Sequence, residues 1–288
     1  MQQTNRVTIE SIDLILGRKF PILDHGFVCV VDYMGCDADI ANSARVSYGK
    51  GTKTINQDEG LIRYLMRHFH TTPFEMCEIK LHLKMPIFIA RQWMRHRTAS
   101  INEISARYSI INDEFYLPQI DRMSNQSLTN KQCSGDILGD ESAQVCQNII
   151  NESCTNSFGQ YHELIEKHEL ARELSRSVLP QNAYTEFFWK IDLHNLFHFL
   201  RLRADPHAQK EIQVYAFKIL EIVKSWVPIA HQAFMDYRVN SFNLTALDLK
   251  EIKNFLDKDK ILEFLEKNKE TTKGEIREFC EKLKKLII

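Results

Sequence analysis

Residues 91–109, RQWMRHRTASINEISARYS, hold four arginines and a histidine, and Glu103 is their only acid. Guanidinium groups remain protonated in proteins, and their planar forks match phosphate oxygens in pairs. Such a segment is suited to holding a phosphate or another anion. Ser100-Ile101-Asn102-Glu103 has the form of a capping box, which predicts a helix beginning just after the Arg95-His96-Arg97 turn. A helix N-terminus favours an anion by about 0.3–1 kcal/mol, and hydrogen bonds to charged groups add about 1.5–3 kcal/mol each. The formal net charge is -1, so any such attraction must be local rather than a property of the whole surface. Surface ion pairs are the plainer use for the same arginines.

Three further groupings could carry chemistry. Ser105 lies nine residues after His96, yet it has no G-x-S-x-G elbow and no evident third member, so hydrogen bonding suits it better than nucleophilic attack. His194 and His198 have the i,i+4 spacing of metal-binding pairs, but no Glu follows the first histidine as in H-E-x-x-H. Asp205 and His207 would be the remaining ligand candidates; no metal is expected, and hydrogen-bonded histidines are the simpler reading. Arg203 lies two residues before Asp205-Pro206, read as a helix start, so its guanidinium would share a pocket with that helix's free N–H groups.

The seven cysteines (Cys29, Cys36, Cys77, Cys133, Cys146, Cys154, Cys280) contain no C-x-x-C, which fits free thiols in a reducing, cytoplasmic setting. Cys77 sits in a strand pattern, where burial is expected rather than reactivity.

These residues need elements to position them. Residues 26–33 and 77–85 read as strands; in the second, Ile79, Leu81, Leu83 and Met85 alternate with Lys80, His82 and Lys84, the pattern of a sheet with one buried face. Pro86 suits the first position of a short helix that runs into the arginine-rich stretch. Residues 124–142 read as a polar loop, 143–177 as helical with Pro180 beyond, and 183–191 as a strand. Asp192 is a candidate cap for a helix whose Leu193, Leu196, Phe197 and Leu200 share a face. A long helix starting at Asp205-Pro206 and continuing to Trp226 follows. Beyond about residue 240 the chain is rich in lysine and glutamate, which predicts an appendage of amphipathic helices over 241–288 after a main domain over 1–240. No run of residues is long and apolar enough for a spanning helix, and neither membrane nor nucleic-acid binding is expected.

Arg95-His96-Arg97, seven residues, Ser105 and then Arg107-Tyr108 together resemble the signature of the flavin-dependent thymidylate synthases. ARVSYGKG (44–51), HTTPFE (70–75), PIFIARQWMRHR (86–97), RSVLPQNAYTEFFW (176–189) and FLRLRADPHAQKEIQVYA (199–216) extend the likeness over most of residues 25–240. The resemblance implies an α+β fold, an antiparallel sheet flanked by helices, in a homotetramer whose active sites lie where subunits meet. It further implies FAD as cofactor, dUMP as substrate, methylenetetrahydrofolate as carbon donor and NADPH as reductant.

Carried over to this sequence, the resemblance places Thr72, Arg95, His96, Arg97 and Glu103 at the flavin, joined by Asp192, Leu193, His194 and His198. It places Gln92, Trp93, Met94, Arg95, Glu103, Ile104, Ser105, Ala106 and Arg107 at the nucleotide, with Arg176 and Arg203, and gives Arg203 the activation of the uracil ring. Arginine is no base, so its role there would be to stabilise the pyrimidine anion as the N3 proton leaves. No cysteine nucleophile is then required. His194 and His198 stand where the family often has asparagine and arginine, and Met76 where it often has histidine. No G-x-G-x-x-G is present, so pyrophosphate would be held mainly by arginine forks.

Overall fold

Ile79, Leu81, Leu83 and Met85 are all fully buried, and they lie on one face of a nine-residue strand, Glu78–Pro86, at the centre of a five-stranded sheet. The computed structural model describes residues 6–46, 58–128, 134–271 and 273–287. Strands run as β1 (Lys19–Ile22), β2 (Gly26–Met34), β3 (Glu78–Pro86), β4 (Ser100–Glu103), β5 (Ser124–Gln126), β6 (Ser134–Ile137) and β7 (Tyr184–Asp192). Helices α1 (Glu10–Asp13), α2 (Asp37–Val46), α3 (Asp58–Arg67), α4 (Thr72–Glu75) and α5 (Ile87–Trp93) precede the site segment. After it come α6 (Asp140–Glu166), α7 (Arg172–Ser175), α8 (Leu193–Arg203), α9 (Lys210–Trp226) and α10 (Pro228–Phe234). The chain forms two compact units, Met1–Val239 and Asn240–Ile288, the second carrying α11 (Ala246–Lys253), α12 (Lys258–Lys267) and α13 (Gly274–Ile287).

The main sheet has the order β1-β2-β3-β7-β4 and every pairing in it is antiparallel, the α+β arrangement with helices against an antiparallel sheet. Register aligns the apolar positions: Leu81 faces Val30 and Trp189, and Leu83 faces Val28 and Phe187. Ile212, Tyr215, Ile219, Val223 and Trp226 of α9 are buried in the same core as this face, as are Leu196, Phe199 and Leu200 of α8 and Ile89 and Trp93 of α5. Each such side chain stabilises the fold by about 1.5–3 kcal/mol through burial alone. The opposite face mixes Phe27, Cys29 and Phe188 with paired polar groups: His82 Nε2 lies 3.0 Å from Glu186 Oε2, and Lys84 Nζ donates to Glu114 Oε2 at 2.5 Å.

Several local expectations are corrected. Ser100–Glu103 is the edge strand β4, paired to β7 from Ser100↔Lys190 to Glu103↔Phe187, and not the start of a helix. The free edge of β7 supplies hydrogen bonds that a local capping pattern cannot foresee, and Thr185 Oγ1 donates to Glu103 Oε1 at 2.6 Å in place of a reciprocal cap. Pro86 ends β3 and sits at the N-cap of α5 rather than inside it. Within 124–142, β5 and β6 pair as a small antiparallel ribbon. The helix expected over 143–177 is α6 up to Glu166; Glu169 adopts φ 50°, and α7 follows separately. Asp205-Pro206 precedes a turn, and α9 begins only at Lys210, because Gln213 Nε2 gathers the carbonyls of Asp205, Pro206 and Ala208 (2.9, 3.1 and 2.7 Å) into a loop. Asp192 does cap α8, its Oδ1 accepting from Asn195 N at 2.9 Å. Residues 47–51 of the ARVSYGKG block and Cys133 lie outside the described residues.

Candidate active site

The arginine-rich segment is fastened to the core by its own tryptophan. Trp93, the last residue of α5, is fully buried, with ring centroids 4.3 Å from Phe199 and 5.1 Å from Trp189. After it the chain turns outward, His96 N donating to Trp93 O at 3.0 Å. Met94 packs partly against the core, His96 is half-buried, and Arg95 and Arg97 are exposed. Trp93 and, on α8, the fully buried Leu193 were both expected to touch a ligand; their side chains belong to the core, which leaves only their backbone for that purpose.

Arg203, at the C-terminal end of α8, meets this turn from across the fold. Its Nε donates to His96 Nε2 at 3.1 Å and its Nη2 to the Gln92 carbonyl at 3.1 Å, while Gln92 Nε2 donates to Gln209 Oε1 at 2.6 Å. The expected neighbourhood of a helix N-terminus is not what surrounds Arg203: it ends one helix and precedes α9 by a loop. Burial, then the nearby Arg95 charge, pulls the Arg203 pKa below its ordinary value. Burial also drives His96 down to about 4, with Arg203 and then His198 adding like-charge repulsion. The imidazole is thus neutral at physiological pH. Since arginine only donates, His96 Nε2 is the acceptor and Nδ1 carries the proton.

Beside α8 lies a cavity of about 210 Å³ bordered by Phe69, His70, Thr71, His194, His198, Arg201 and Arg238. Arg238 stacks 3.7 Å over the Phe69 ring and its Nη2 donates to the Met66 carbonyl, and burial followed by the Arg201 charge lowers its pKa. His194 and His198 therefore border a cation-rich space, and among the described residues no group of three His, Cys, Asp or Glu could hold a metal ion. Thr72 is exposed, and the neighbouring Thr71 borders this cavity instead. Asp192 is occupied as the α8 cap. Sequence reading missed His70, Thr71, Arg201 and Arg238. For Arg201 a signal existed, because His194, His198 and Arg201 recur at i, i+4 and i+7 on one helix face.

A second cavity, of about 400 Å³, lies where β4 and β7 meet the chain after α7. Glu103, Ile104, Ala106 and Arg176 all border it, and so does Arg91, which the sequence had not singled out for it. Ile104 N donates to Glu186 O at 2.9 Å and so holds the rim of this cavity to the sheet. Arg107 pairs with Glu173 at 3.3 Å, both side chains about half exposed, and Arg107 N donates to Ser105 Oγ at 3.3 Å. His96 Nε2 is engaged by Arg203, which leaves no Ser105–His96 nucleophile pair. Within one chain the expected nucleotide residues thus fall into two groups, Gln92 with Arg203 and Glu103 through Arg107 with Arg176. Arg95 and Arg97 border neither cavity.

Among the cysteines, Cys77 is fully buried and burial pushes its thiol up to about 12. Burial also raises the thiols of Cys29 and Cys36.

Comparison with known proteins adds independent weight. Residues 29–229 match the thymidylate synthase complementing protein family, Thy1. The chain is 54% identical over 270 residues to the flavin-dependent thymidylate synthase of Rickettsia conorii (strain ATCC VR-613 / Malish 7), covering 90% of this chain and 92% of that one. It is 54% identical over 256 residues to the enzyme of the same name from Wolbachia pipientis wMel, covering 88% and 89%. Among solved structures, the UMP/dUMP methylase PolB from Streptomyces cacaoi bound with 5-Br dUMP is similar with a TM-score of 0.68 at 29% identity, over 76% of this chain and 98% of that one. Sheet, arginine-bearing turn and sequence agree: the chain belongs to the flavin-dependent thymidylate synthase family.

Proposed function

We propose that the protein is a cytoplasmic enzyme that converts dUMP to dTMP by reductive methylation, with FAD as cofactor, methylenetetrahydrofolate as carbon donor and NADPH as reductant. The observation that carries this reading is the half-buried Arg203 guanidinium, fixed between His96 and the Gln92 carbonyl with no ion pair to a carboxylate among the described residues. A cation held in place and unneutralised is suited to an anion that forms during reaction. Arg203 stabilises the pyrimidine as its N3 proton leaves, and Gln92 orients the ring. Glu103, Ile104, Ser105, Ala106, Arg107 and Arg176 hold the rest of the nucleotide, with Met94 and Arg95 nearby.

A flavin demands apolar walls for its rings, donors for their polar edge and cations for its pyrophosphate. The cavity beside α8 supplies Phe69 and Phe197 as walls, Thr71, His194 and His198 as hydrogen-bonding groups, and the crowded Arg201 and Arg238 as cations. These residues fit the group, and Arg95 and Arg97 add charge from the turn. Bound there, FAD supplies hydride transfer. The chain's own part is to hold the cofactor, bind and polarise the nucleotide, and keep water from the reacting atoms.

Two features support the finer points. Burial raises the thiol pKa of Cys77, Cys29 and Cys36, which argues against these three as sulfur nucleophiles, since thiolate is what attacks. The division of the nucleotide residues into two groups within one chain supports a homotetramer in which one subunit's group completes another's.

Purified protein should be yellow, its flavin absorbance should bleach with NADPH, and it should form dTMP from dUMP and methylenetetrahydrofolate. Colourless protein that takes up no added FAD would sink the proposal.

A further inference from the structure

We propose that His96 is a positioning residue for Arg203: its Nε2 lone pair accepts from Arg203 Nε and, with the Gln92 carbonyl accepting from Nη2, fixes the guanidinium plane and leaves Nη1 for the substrate anion. The inference rests on the reading that Arg203 stabilises the pyrimidine.

Arg203 ends a helix, where a long flexible side chain would otherwise sample several rotamers, and ordering such a chain costs conformational entropy. Two hydrogen bonds at 3.1 Å to neighbouring nitrogens of one fork, one acceptor being main chain and the other a half-buried ring, define a plane. Both acceptors come from the same turn, and that turn is anchored by the fully buried Trp93. The guanidinium is thereby referred to the core and not merely to its own helix.

The imidazole is itself held. Its ring packs edge-on to Phe199 at 4.9 Å and edge-on to His198 at 5.9 Å. Arg203 and His198, both on α8, disfavour a second imidazole proton, and Arg95 bears on Arg203 from the turn. A protonated His96 would lose its only acceptor and place a cation against a cation. With Nε2 committed to Arg203, only Nδ1–H remains for any other partner. A histidine acting on flavin through Nε2 is therefore incompatible with this arrangement.

The test uses the full-length, FAD-loaded enzyme. Ring nitrogen NMR of labelled histidine should show His96 with a proton on Nδ1 only, unchanged from about pH 8 down to about pH 5, whereas ordinary imidazole titrates near 6.5. An Nε2–H tautomer, or titration in the ordinary range, would overturn the proposal without any variant being made.

Two variants supply the second arm. His96→Phe keeps a ring but removes the acceptor, and should lower kcat about 10²-fold, as misplacing a catalytic group does, while flavin absorbance and dUMP affinity persist. His96→Gln restores an acceptor at similar reach and should recover most of that loss. Equal turnover in the two variants defeats the positioning role. Because Arg203→Ala is assayed alongside, the failures are distinguishable: normal turnover in Arg203→Ala removes the reading of Arg203 itself. A dead Arg203→Ala beside an indifferent His96→Phe removes only the role of His96.

Discussion

The two cavities treat their charges differently. Around the one bordered by β4 and β7, acids accompany the cations: Glu103 stands on the rim with Arg91 and Arg176, and Arg107 is already paired with Glu173. On the α8 side, Arg201 crowds Arg238, Arg95 crowds Arg203, and His96 is forced neutral among them. Like charges crowded together are unfavourable in a folded chain, so the α8 side is where an anion brings the larger gain. The exposed, compensated side is suited to recognition and the crowded side to chemistry.

That contrast is open to attack, starting where the largest effect is expected. Arg203→Ala should lower turnover about 10²–10³-fold, the loss seen when a preorganised donor to a developing anion is removed, with flavin still bound. If steady-state assays show no greater loss than for Arg107→Ala, the two sides do not differ. Arg238→Ala should weaken FAD binding by about 10- to 100-fold, as follows from losing about 1.5–3 kcal/mol of charge-assisted hydrogen bonding; equilibrium titration of the flavin spectrum reads this directly. An unchanged affinity would strip the α8 cavity of its assigned group.

Smaller changes sharpen the picture. Ser105→Ala should weaken dUMP by about 2- to 10-fold, from the ~0.5–1.5 kcal/mol of one neutral hydrogen bond, and should retain turnover; complete loss of turnover with dUMP still bound would restore a nucleophilic role. Arg107→Ala should change thermal stability by no more than about 1 kcal/mol, because its pair with Glu173 is exposed. The gentlest probe is acid. The folded-state pKa of His96, about 4, lies below the ordinary 6.5 of an imidazole, so the unfolded chain binds more protons between them. Stability from this group is full above about pH 6.5 and is lost as pH falls towards 4. Denaturant titrations of His96→Gln should show a flatter slope across that window.

Much of the sheet was legible in the sequence, because period-two alternation at Ile79 through Met85 has one structural meaning when a face is buried. The Asp192 cap and the body of α9 were legible for the same reason, being local. Ser100–Glu103 was not: its residues satisfy a capping pattern, and only the free edge of β7, more than 80 residues later, decides for a strand. Asp205-Pro206 misled similarly, since Gln213 reaches back to hold three carbonyls in a loop. Residues at the two cavities were partly legible through the family signature. Arg238 was not, because its cavity forms only when α3, α8 and the chain after α10 converge.

Trp93 links these observations. Its indole is wedged among Phe187, Trp189, Phe199 and Tyr215, one residue after Gln92 and three before His96. The groups that grip Arg203 are tied to that aromatic knot, so this turn should show no separate melting event. A nucleotide or flavin that favours the folded arrangement should therefore raise the unfolding temperature of the whole Met1–Val239 unit in a single transition, and calorimetry would double as a binding assay.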